Sequence, residues 1–115
     1  KEDNNNMPPI DWERISNIIR HDATTRYAYS VGDDHCVLGG LAVEYGVTLP
    51  VGDNNEWRIG MVTGFCGALG NATGLTQEQL SQMQRVNDYS ETVLSRRQNL
   101  LAWVENEQYG LRNVI

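Results

Sequence analysis

The sequence predicts a small, mainly α-helical fold of four to five helices with one or two short extended segments, a small α+β fold being its nearest variant. Three observations carry that expectation. Apolar residues recur at three- and four-residue spacing near both ends of the chain, as they do along one face of a helix. Residues able to cap helices stand just ahead of those runs. Ten of the eleven glycines fall between positions 32 and 74, so regular ends enclose a tightly packed or irregular middle. With 115 residues the chain is sized for one domain. A polar stretch closed by two prolines, residues 1–9, reads as a flexible N-terminal arm, and residues 10–115 as a single compact domain.

Taken in order, Ile10, Ile15, Ile18 and Ile19 define a first helix capped by Asp11 and fading near His21. Residues 23–31 mix β-branched and aromatic side chains and suit an extended segment. The turn at Gly32-Asp33-Asp34 predicts a second helix capped by Asp33 or Asp34, ending with Gly46 at its C-terminal cap. Gly39 and Gly40 inside that helix cost roughly 1 kcal/mol each relative to alanine, which points to another backbone packed close against them. Residues 47–51 form a second extended candidate. Residues 56–69 have helical length, with Gly60 and Gly64 spaced for close helix packing.

The last third carries the clearest signals. Thr76-Gln77-Glu78-Gln79 is a capping box, with Leu75 placed to staple onto Leu80 and the helix ending about Val86 or Asn87. Asp88 with Glu91 suggests a second box. It would open an amphipathic helix whose face is Val93, Leu94, Arg97, Leu100, Leu101 and Val104, ending at Gly110.

Charge and composition exclude several classes. A formal net charge of -6 disfavours direct binding to nucleic acids or anionic membranes, which need clustered positive charge. It suits a basic protein partner, and an acidic mimic of nucleic acid is a further alternative. No run approaches the roughly 20 apolar residues of a membrane helix. The expected compartment is the cytoplasm of a bacterial or phage-infected cell, with secretion as the alternative. Asn71-Ala72-Thr73 matches the N-glycosylation pattern, which matters only for a secreted chain.

Cys36 is the one candidate nucleophile. It falls at an expected helix start, where backbone N–H groups favour thiolate. His21 is its candidate base in a cysteine-dependent hydrolase or transferase, since His35 is the adjacent residue and points away along a helix. The opposing reading is a small buried residue that fills space beside Gly39. His21, His35, Cys36 and Cys66 lack metal-ligand spacing, so no metal is expected; the glycines lack a phosphate-loop pattern, so no cofactor is expected. Candidate binding residues are Trp57, Arg96, Arg97 and Trp103, the expected contact surface being the exposed side of the last two helices or the 52–58 loop that carries Trp57. Arg96 and Arg97 form a basic patch with Arg85 or pair with local acids such as Glu91 and Asp88, and the tryptophans anchor either a core or an interface.

Asp33-Asp34-His35-Cys36-Val37-Leu38-Gly39-Gly40-Leu41, followed by Val86-Asn87-Asp88 and by Arg96-Arg97 with Leu100-Leu101-Ala102-Trp103, resembles small uncharacterised proteins of phages and actinobacteria. Those share a Cys-x-Leu-Gly helix start and an Asn-Asp pair ahead of an arginine-bearing final helix. Gly40 departs from the alanine or valine more usual there. The resemblance implies a phage or bacterial setting and brings no catalytic role. The expected function is thus a small acidic protein-binding module, a phage-encoded modulator or inhibitor of a host protein, with a homodimer also open.

Overall fold

A computed structural model describes residues 8–26, 29–50 and 63–110. The expected 1–9 arm lies mostly outside these residues, as do Trp57, its 52–58 loop and Gly60. Within them the chain forms five helices and one small hairpin: α1 (Trp12–His21), β1 (Ser30–Val31), β2 (Asp34–His35), α2 (Val37–Tyr45), α3 (Thr63–Thr73), α4 (Gln77–Tyr89) and α5 (Val93–Tyr109). The mainly helical architecture is the one the sequence predicts; of its extended candidates 23–31 supplies β1, residues 47–50 form no strand, and β2 falls where helix was expected.

Helix α1 begins where Asp11 accepts a hydrogen bond from the Arg14 N–H at 3.0 Å, and Ile15, Ile18 and Ile19 turn into the core. Beyond His21 the chain passes through Ala23, a buried alanine at φ 65, and reaches the hairpin. Ser30 pairs with His35 and Val31 with Asp34, across a two-residue loop in which Gly32 takes φ 61.

That hairpin corrects the expected start of α2. Asp33 closes the loop and Asp34 lies in β2, so neither can cap the helix. Cys36, extended at φ -74 and ψ 178, is the N-cap instead, and its sulfur accepts from the Gly39 N–H at 3.4 Å. The predicted C-terminal end stands: Gly46 adopts φ 72 and donates to the last turn. From Val37 to Ala42 every residue of α2 is buried, with α1, α3 and α4 packed around it. The predicted close approach also stands, because a methyl group on Gly39 would run into the backbone carbonyl of Tyr29.

Helix α3 extends to Thr73, beyond the expected 69, because the Thr73 hydroxyl turns inward to donate to the Leu69 carbonyl and accept from the Leu75 N–H. A Cβ on Gly64 or Gly67 would meet open space, so the close packing expected of Gly64 is absent among the described residues. Thr76 and Gln79 form the predicted box at the start of α4, and Leu75 and Leu80 are fully buried.

One expectation about the C-terminal helices is overturned and another holds only in part. The proposed Asp88–Glu91 box does not form: α4 runs on through Asp88 to Tyr89, and Thr92 with Ser95 caps α5. Asp88 is drawn inward by the side-chain amides of Gln84 and Asn87, at 2.7 and 3.1 Å. The inward face of α5 is Arg96, Leu100 and Val104, while Leu94 is 68% exposed. Leu100 and Val104 belong to the face read from apolar residues, whereas in the first turns Arg96 is buried where Leu94 was expected. Gly110 ends α5 at φ 68 as predicted.

Candidate functional site

The polar groups of the interior gather beneath the N-terminus of α2. The first N–H of that helix, on Val37, is satisfied from a distant part of the chain: Asn87 of α4 accepts it through Oδ1 at 3.0 Å. The same amide donates through Nδ2 to the Thr25 carbonyl at 2.9 Å and to Asp88 Oδ1. Gln84 donates to Asp88 Oδ2, and Arg26 donates to the Asp88 backbone carbonyl at 2.9 Å. Asn87, Asp88 and Gln84 are all buried.

Cys36 sits beside this network and is completely buried. Burial pushes its thiol from 9.0 up to about 12, and the N–H groups of Gly39 and Leu38 recover only part of that shift. An activated nucleophile needs the opposite direction. His21, the expected base, lies exposed at the end of α1 with Nδ1 2.8 Å from the carbonyl oxygen of Asn17. The histidine that meets a carboxylate is His35, whose Nδ1 lies 3.5 Å from Asp22 Oδ1. Cys66 is also buried.

Arg96 and Arg97 serve the interior. Arg96, 2% exposed, donates through Nε to the Ser90 carbonyl at 3.1 Å, through Nη1 to Ala23 at 2.8 Å and through Nη2 to Glu91 at 3.2 Å. Burial lowers its pKa, with the Arg26 charge acting in the same direction. Arg97 donates to the Asp22 carbonyl at 2.9 Å. The expected basic patch is therefore a pair of clamps on the loop after α1. Trp103 is half-buried, edge-on to Trp12 with ring centroids 6.1 Å apart, and its indole N–H donates to Gln82 at 2.8 Å. Like Trp12, it packs against the core.

On the exposed side of the last two helices, what the sequence reading missed is one residue at the outer corner where α4 meets α5. Tyr89, the last residue of α4, is 72% exposed. It borders an open groove of about 400 Å³ lined by Arg85, Val86, Tyr89, Ser90 and Asn99. The groove has a firm floor. Ser90 donates to the Val86 carbonyl at 2.7 Å and accepts from the Asn99 amide at 2.9 Å, while its own carbonyl is held by Arg96. Sequence periodicity cannot single out Tyr89, because a tyrosine ending a helix is as readily a packed residue as an exposed one.

No protein-family model, curated protein or solved structure matches the chain.

Proposed function

We propose that the chain is a small acidic protein-binding module, a phage-encoded modulator or inhibitor of a host protein, that engages its partner through the groove at the α4–α5 corner. The observation that carries this reading is the exposure of Tyr89 on a corner braced from beneath by Arg96. An exposed aromatic beside an arginine and a side-chain amide has the composition of an interface anchor. A rigid backbone support confines the ordering cost of binding to the side chains of the groove. The net charge of -6 favours a partner with a basic surface and speeds encounter with it. The cysteine-enzyme alternative loses ground because Cys36 is sealed from solvent and its thiol is shifted away from thiolate.

The test is capture of a partner from a lysate of the host, comparing the native chain with Tyr89→Ala and Arg85→Ala. The expected result is one stoichiometric partner, with affinity falling at least about tenfold for Tyr89→Ala, the scale of an aromatic anchor. The helical circular dichroism should be unchanged, because both residues are exposed. A partner held equally well by both variants would move the contact surface elsewhere.

A further inference from the structure

We draw no further inference here: the strongest candidate, the open groove of about 500 Å³ between the 46–50 segment and helix α3, lined by Val47, Pro50 and Phe65 among others, is an apolar surface for which nothing in the structure shows what covers it.

Discussion

Two influences oppose each other at the Cys36 sulfur: backbone N–H groups that favour a negative charge, and complete burial that forbids one. Burial wins, with the thiol pushed from 9.0 up to about 12. The consequence for stability has a definite sign. Below pH 9 the thiol is protonated whether the chain is folded or not, and the full stability is present. Between pH 9 and about 12 the unfolded chain releases the proton while the folded chain keeps it, so stability falls by about 1.4 kcal/mol per pH unit. Cys36→Ala should remove that portion of the alkaline slope in denaturant titrations at pH 8, 9 and 10. A slope identical in the variant would show that the thiol contributes nothing. The helix-start position of Cys36 was legible in the sequence because capping geometry is local. Its burial beside Gly39 was the other reading of the residue and is what the structure shows; the neighbouring Asn87 and Asp88 of α4, half a chain away, were beyond the reach of local pattern.

Among the elements, α2 differs most from a free-standing helix. Its cap is a thiol, a weak acceptor, and its first N–H depends on Asn87, fifty residues downstream. Asn87→Ala removes that bond together with the donors to Thr25 and Asp88. It should cost about 3 kcal/mol, because several buried groups lose their partners together. Thr76→Ala at the exposed cap of α4 should cost only about 1 kcal/mol. Thermal and urea unfolding of the two variants side by side would check the ratio, and equal losses would contradict it. The same contrast explains which elements the sequence disclosed. Helices α1 and α4 were readable because Asp11, Thr76 and Gln79 act within one turn. The start of α2 was misplaced because the hairpin takes up Asp33 and Asp34. The face of α5 was read correctly at Leu100 and Val104 and missed Arg96, because an arginine was counted as a surface residue.

At the scale of the whole molecule, Arg96 joins regions that would otherwise be independent. Its three carbonyl partners belong to the loop after α1 and to the α4–α5 turn, and Arg97 and Asn87 hold the same loop at Asp22 and Thr25. Lysine lacks the planar fork needed to reach all three oxygens. Arg96→Lys should therefore cost about 3 kcal/mol and lower the denaturation midpoint as followed both by tryptophan fluorescence and by far-ultraviolet dichroism. A loss confined to one probe would mean that the clamp is only local. None of this joinery is visible as a motif, because residues 62 to 75 positions apart supply its two sides. The groove beside Tyr89 depends on the same bracing, so its rigidity too was beyond reach of local pattern.

The loop after α1 also sets an order of events during synthesis. The ribosome makes α1, the hairpin and α2 before it makes Asn87, Arg96 or Arg97. Until those residues emerge, the Thr25, Ala23 and Asp22 carbonyls lack the donors that hold them, and the first turn of α2 has an unanswered N–H. The N-terminal half must therefore wait, exposed to solvent and to chaperones, for the last third of the chain to complete it.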